Sequence, residues 1–324
     1  MFPFMPNHLH QLKLYRRSIR ASFFLVIFLV LIGGVVRSTG AGMGCPDWPK
    51  CFGLWVPPTD ISQVPLSYYS NALALRDGKL VFNVYRTWTE YLNRLLGVFI
   101  GFSIFIQMVL SFTSSPGFTS RLYSAAAFVM VAFQGWLGSK VVSTDLKPLV
   151  ITIHLIVALL IALALLAALH FAQVLKSDVQ SIQKKSVVYV CLLLLTVQFF
   201  LGTEVRSQID VLFKAFNYEL RNLYLDNLDW MFYIHRSLSV VVVFLVSYQI
   251  YALGRQIDIA RFGILLWPLF SSIALVFTGI VLVYFDFPAL VQPFHLFFGF
   301  VIFCCQFWLL LKVSSMSRLS YAVN

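Results

Sequence analysis

The stretch LVITIHLIVALLIALALLAALHFAQV, residues 149–174, decides the fold of this chain. It contains no Asp, Glu, Lys or Arg, and its length exceeds the roughly 20 apolar residues that a helix needs to cross a bilayer core. Since no period-2 alternation runs through it, a β-barrel strand is excluded. The stretch therefore predicts a transmembrane helix with one histidine, His154, near its start.

Seven further apolar stretches accompany this one, so the sequence predicts an all-α membrane protein of eight transmembrane helices. The composition agrees, because 60% of the 324 residues are hydrophobic and 11% are charged, against about 25% charged in soluble domains. The first and fifth stretches are short, and each is expected to continue through the glycine-containing segment after it. The eight stretches are 21–36, 91–112, 122–138, 149–174, 187–201, 230–253, 262–285 and 289–313.

The net charge of +11 is distributed as in a membrane protein, not as in a nucleic-acid-binding protein. With the N-terminus inside, the inner segments carry 12 basic residues (Lys and Arg) and two acidic ones. The outer segments carry 12 basic and 11 acidic residues. The inner charges, among them Lys176, Lys184 and Lys185, lie in short segments, where the positive-inside rule has weight. We expect the protein to lie in a bacterial inner membrane with both termini in the cytoplasm. The lipid bilayer is its expected partner, and no nucleic acid is expected to bind.

The long outer loop, residues 37–89, is rich in Pro, Gly and aromatic residues and is expected to fold back over the helices. The separation of Cys45 and Cys51 fits a small disulfide loop in an oxidising compartment. A structural clip and a redox role are both open at this point.

An internal repeat divides the chain into two predicted four-helix halves, residues 1–175 and 176–324. Tyr91-Leu92-Asn93-Arg94 aligns with Tyr233-Ile234-His235-Arg236, and His154 aligns with His295. Gln134-Gly135 also aligns with Thr278-Gly279. Because each half has an even number of spans, the repeat is a parallel one.

Asn93, His154, His235 and His295 lie in the early turns of helices that all run inward, so we expect them at one depth near the outer surface. A single intramembrane histidine is often structural, but three at equivalent repeat positions favour a functional site. His8, His10 and His170 lie in the tail or at an inner helix end, where the structural interpretation is favoured.

Two neutral imidazoles from facing helices suit the axial positions of haem iron, whereas zinc would need three or four ligands. His235 and His295 therefore predict a bis-histidine b-type haem site. Arg236 and Arg206 could bind the haem propionates, or they could simply reach for the membrane interface.

The first half differs, because Asn93 stands where the repeat predicts histidine and leaves His154 as the strong iron ligand. Glu90 precedes Asn93 on the same helical face and could serve in proton transfer, or it could be an exposed interfacial glutamate.

These motifs resemble the haem A synthase family over nearly the whole chain. The resemblance rests on GGVVRSTGAGMGCPDWP (residues 33–49), EYLNRL (90–95), QGWLG (134–138), His154, YIHR (233–236) and His295. It implies that a ring methyl of haem O is oxidised through successive hydroxylations to the formyl group of haem A. It also implies haem b on His235 and His295, and a substrate haem in the N-terminal half.

The resemblance further implies a Cys45–Cys51 disulfide and catalytic roles for Glu90 and His154. We place Asn93, Arg94 and Arg37 with His154 at the substrate. Asn93 departs from the family, which commonly has a second N-terminal histidine there. Haem O synthase, cytochrome oxidase assembly factors and a second copy of the chain are candidate partners.

Two other functions compete with this interpretation. A haem b electron-transfer or quinol-oxidising subunit would need the histidine pair but neither Glu90 nor the long loop motif. A transporter built from two repeats would need helices broken at the bilayer midplane, and the Gly and Pro candidates here cluster at helix ends.

Overall fold

The computed structural model describes residues 5–71, 74–76, 79–173, 186–216, 221–254 and 259–321. Within these residues, eight helices are long and apolar enough to cross a membrane, which confirms the predicted all-α class with eight spans. Two short antiparallel strands of two residues each, β1 (Leu75–Arg76) and β2 (Lys79–Leu80), pair in the outer loop. The helices are α1 (Met5–Ser38), α2 (Val84–Thr113), α3 (Phe118–Ser143), α4 (Pro148–Ala172), α5 (Ser186–Ala215), α6 (Trp230–Gly254), α7 (Ile259–Tyr284) and α8 (Val291–Tyr321).

Several helices are longer than their apolar stretches. As expected, α5 continues through Gly202, and it ends at Ala215. The matching expectation for α1 is wrong: α1 begins early, at Met5, and ends at Ser38, because Gly40 adopts a left-handed conformation with φ 69°. α2 begins at Val84, where the Asn83 side chain accepts a hydrogen bond from the Arg86 amide at 3.1 Å.

The core lies where α1, α4 and α8 contact one another. Consecutive helices also pack in pairs: α1 lies against α2, α3 against α4, α5 against α6 and α7 against α8. The most deeply buried side chains of the main core include Ile19, Ile104, Leu165 and Phe300. These contacts bring the first and last helices together.

Buried polar side chains in this core are hydrogen-bonded to one another across helices. The Tyr15 hydroxyl lies 2.9 Å from Ser120 Oγ and 2.6 Å from Ser124 Oγ, which connects α1 to α3. Such pairing removes the cost of an unsatisfied polar group in a water-free interior.

The boundary proposed between the two halves, at residues 175/176, falls outside the described residues, as do Lys176, Lys184 and Lys185. The two-half repeat therefore stays a prediction. So does the assignment of an inner side from these charges.

Candidate functional site

His235 on α6 and His295 on α8 face each other with their ring centroids 6.3 Å apart. Two imidazole nitrogens bound to one metal ion at about 2 Å each would place the ring centroids about 6 Å apart. The spacing of these two rings therefore fits an iron ion between them.

Each of the three candidate histidines packs over a glycine of the preceding helix. A Cβ atom on Gly202 would lie 3.0 Å from His235 Cε1, one on Gly279 would lie 3.5 Å from His295 Cε1, and one on Gly138 would lie 3.8 Å from His154 Cε1. A larger side chain at Gly202 would push the His235 ring out of place, so glycine sets the position of that ring.

His154 on α4 and His235 on α6 each make a second contact of the same kind, with a glutamine of the preceding helix. Gln134 Nε2 donates to the His154 carbonyl oxygen at 2.9 Å, and Gln198 Nε2 donates to that of His235 at 2.8 Å. These glutamines stand four residues before Gly138 and Gly202. The two sites are thus built from the same Gln-to-Gly spacing on α3 and α5.

This arrangement corrects one alignment of the repeat. Gly135 was paired with Gly279 from the sequence, but a Cβ on Gly135 would meet nothing within 4 Å. The glycine that contacts His154 is Gly138. The pairing was wrong because it followed polar residue types instead of the helical face that carries the glycine.

The ring nitrogens of His295 have a defined hydrogen-bonding role. Thr278 Oγ1 lies 2.9 Å from His295 Nδ1 and donates its own hydrogen to the Ala274 carbonyl oxygen at 2.8 Å. In the tautomer in which Nδ1 donates to Thr278 Oγ1, the lone pair of Nε2 is free to bind a metal ion. Thr278 also lines an apolar pocket of about 520 Å³ between α7 and α8.

In the first half, several buried polar atoms have no hydrogen-bond partner among the described residues. Nδ1 of His154 and Oδ1 of Asn93 are two of them, and Nδ1 of His235 is a counterpart in the second half. Orphaned buried atoms of this kind mark places where a bound group can supply the missing contact.

Glu90 is buried, with 4% of its surface exposed, which rules out the interpretation as an exposed interfacial glutamate. Its Oε2 accepts a hydrogen bond from the Cys45 amide at 2.9 Å, and its Oε1 pairs with the Arg94 guanidinium. Arg94 also donates to the carbonyl oxygens of Asp47 at 2.6 Å and Lys50 at 3.0 Å. Glu90 and Arg94 therefore fasten the outer loop to α2.

The loop itself contains the expected disulfide, with Cys45 and Cys51 fully buried and their Cα atoms 4.8 Å apart. Gly44 approaches α2 so closely that a Cβ there would lie 2.4 Å from the Arg86 carbonyl oxygen. Thr87 Oγ1 donates to the Gly44 carbonyl oxygen at 2.8 Å. These contacts confirm that the loop folds back over the helices.

A carboxylate orders the inside of the loop. Asp47 accepts hydrogen bonds from the amides of Phe52 at 2.6 Å and Gly53 at 2.9 Å. Burial, together with the Asp47 carboxylate, raises the pKa of Tyr68 to about 12.

Arg37 and Arg206 both bind Asp210, a residue that the sequence analysis missed. Arg37 Nε donates to Asp210 Oδ1 at 2.7 Å, and Arg206 pairs with Asp210 Oδ2. Arg206 also donates to Thr152 Oγ1 at 2.8 Å, on α4. Asp210 stands one helical turn after Arg206, and this spacing was the available signal.

Two further residues considered in the sequence analysis, Arg236 and His170, contact residues other than Arg37, Arg206 and Asp210. Arg236 is exposed, with its guanidinium carbon 5.5 Å from the ring centroid of Tyr233 and 5.8 Å from that of Phe232. His170 lies in the last turn of α4, at the opposite end from His154, with its ring 5.9 Å from that of Trp308. Among the described residues, no three His, Cys, Asp or Glu side chains form a group that could hold a metal ion.

These features define a polytopic helical membrane protein with a facing histidine pair at one end of its bundle. Residues 16–307 match the family model described as cytochrome oxidase assembly protein (COX15-CtaA). The chain therefore belongs to that family.

Curated relatives carry the name "Heme A synthase". The relative from Ehrlichia ruminantium is 22% identical over 330 residues, which cover 92% of each chain. The relative from Shewanella oneidensis is 27% identical over 138 residues, 43% of this chain and 39% of that protein. The relative from Pelagibacter ubique is 26% identical over 181 residues, 50% of this chain and 51% of that protein.

Proposed function

We propose that this protein is a haem A synthase, which converts haem O to haem A by oxidising a ring methyl group to a formyl group through successive hydroxylations. Family membership over residues 16–307 and relatives of that name support the activity. The observation that carries the assignment of the site is the facing pair of His235 and His295, with ring centroids 6.3 Å apart.

In the second half, His235 and His295 would hold the iron of haem b. A bound haem b supplies one-electron transfer at this position. Gly202, Gly279 and Thr278 orient the two rings so that each can present a nitrogen to the iron. Arg206 and Arg236 provide positive charge for the propionates at the outer end of the bundle.

The first half binds the substrate, haem O. His154 is the strong ligand of its iron, and Asn93 lies at the position opposite it in the repeat. Arg37 contributes positive charge for the propionates, while Arg94 keeps the outer loop over the site. Glu90 handles protons or stabilises positive charge that develops near the reacting methyl group.

The surroundings follow from this activity. The protein lies in a bacterial inner membrane with both termini in the cytoplasm, and the disulfide loop lies on the oxidising outer side. Haem O synthase, cytochrome oxidase assembly factors and a second copy of the chain are the proposed partners.

Haem content tests the assignment of the second half. Replacing His235 or His295 by Ala should remove a low-spin haem b spectrum from the purified protein, because each variant loses one of two axial ligands. His170→Ala is the matched control, since His170 is a buried histidine at the other end of α4. Full retention of haem b in both site variants would refute the assignment.

Extraction of the bound haems separates this function from the electron-transfer subunit. Purified wild-type protein should yield haem b together with haem O or haem A. Haem b alone, in cells that supply haem O, would instead favour the electron-transfer or quinol-oxidising function.

A further inference from the structure

The helix pair α1 and α2 departs from the glycine-under-histidine pattern of the other three pairs, α3–α4, α5–α6 and α7–α8. The sequences GGVVR (33–37) and GTEVR (202–206) place Gly33 four residues before Arg37, as Gly202 stands four before Arg206, and both arginines bind Asp210. Gly33 on α1 is therefore the counterpart of Gly202, and Asn93 on α2 is the counterpart of His235.

The space over Gly33 is open. A Cβ on Gly33 would meet nothing within 4 Å, whereas one on Gly202 would lie 3.0 Å from the His235 ring. Asn93, the counterpart of His235, has a shorter side chain than the imidazole that contacts Gly202.

A second observation concerns Asn93 itself. Its Oδ1 is buried and has no hydrogen-bond partner among the described residues. A buried amide oxygen without a donor costs about 1–3 kcal/mol, so the site favours a bound group that can donate to it. An amide is also a weaker ligand for ferric iron than an imidazole.

We propose that the iron of the substrate haem is held by His154 on one face and binds a small neutral ligand on the other. This inference rests on the proposed function, since it takes haem O to lie in the first half. The ligand occupies the space that an imidazole would fill over Gly33. In the oxidised protein it is a water molecule that donates a hydrogen bond to Asn93 Oδ1.

Carbon monoxide is the probe that tests this site, because it binds reduced iron only where a coordination position is open or weakly held. Protein purified with haem O should bind one CO per haem O and none on haem b, whose two positions are taken by His235 and His295. Asn93→His should abolish CO binding, since an imidazole would then occupy the open position. Asn93→Ala should retain it.

A second pair of variants tests the space independently of Asn93. Gly33→Leu should slow CO rebinding after flash photolysis at least tenfold, because the leucine side chain fills the ligand space. Gly135→Leu is the matched control, since Gly135 is an exposed helical glycine with equal room for a side chain, and it should rebind at the wild-type rate.

Chromatography of the extracted haem distinguishes failure of this inference from failure of the proposed function. Haem O bound with a low-spin spectrum and no CO binding would overturn this inference alone. Equal rebinding rates in Gly33→Leu and wild type would overturn it as well. Protein that binds no haem O would overturn both the proposed function and the inference.

Discussion

At the scale of single residues, Glu90 is the position where the structure changes the chemistry that the sequence suggested. The sequence placed it on the helical face of Asn93, either as a group for proton transfer or as an exposed interfacial glutamate, whereas both of its oxygens are engaged, by the Cys45 amide and by Arg94. A carboxylate that holds the loop could couple loop position to turnover if it also acts at the proposed substrate site. Its two roles need separate tests.

We expect Glu90→Ala to retain haem b but to make little haem A, with haem O or an earlier product accumulating. Glu90→Gln should keep the loop closed, because its amide oxygen can still accept from the Cys45 amide, yet it should also make little haem A. Haem extraction and chromatography from cells that supply haem O measure both products.

Glu204→Ala is the control for this series, since Glu204 is an exposed glutamate on α5. Normal haem A production by Glu90→Gln would show that Glu90 acts through the loop alone. Normal production by Glu90→Ala would remove it from the reaction altogether.

At the scale of secondary-structure elements, the helices were predictable because an apolar run of sufficient length has few alternatives in a bilayer. The contacts between them were not. Arg37 and Asp210 are 173 residues apart, and Arg37 and Gln292 are 255 apart, so no local pattern reveals that these side chains meet. The disulfide and the histidine pair were accessible because residue type and repeat spacing restrict their partners.

Asp210 should stabilise the link between the C-terminal end of α1 and α5, which it makes by pairing with Arg37. The side chains of Arg37, Arg206 and Asp210 are 21%, 11% and 12% exposed, so removing the carboxylate leaves two poorly solvated cations facing each other. We expect Asp210→Asn to lower the free energy of unfolding by about 3 kcal/mol or more, as for other buried ion pairs that lose one partner. Thermal unfolding in detergent measures the change.

Asp226→Asn provides the comparison, because Asp226 is exposed on the segment between α5 and α6. It should change stability by less than about 0.5 kcal/mol. Equal melting of Asp210→Asn and wild type would show that the arginines find other acceptors.

At the scale of the whole molecule, the two halves share a construction principle but differ in ligands. The glycine-under-histidine contact recurs at Gly138, Gly202 and Gly279, and it supports the predicted repeat without completing it. The one position that departs, Asn93, was visible in the sequence. What the sequence could not give was the empty space over Gly33, because that space depends on how α1 packs beside α2.

The orientation of the whole bundle is the last prediction. Eight spans place both ends of the helical region on one side, and the short basic segments favour the cytoplasm for that side. The outer loop then carries the disulfide into the oxidising compartment. Alkaline phosphatase, which needs disulfides to fold, should be inactive when fused after residue 324 or after Ser115, between α2 and α3. It should be active when fused after Asp145, between α3 and α4. Activity after Ser115 but not after Asp145 would invert the bundle and place the Cys45–Cys51 loop in the reducing cytoplasm.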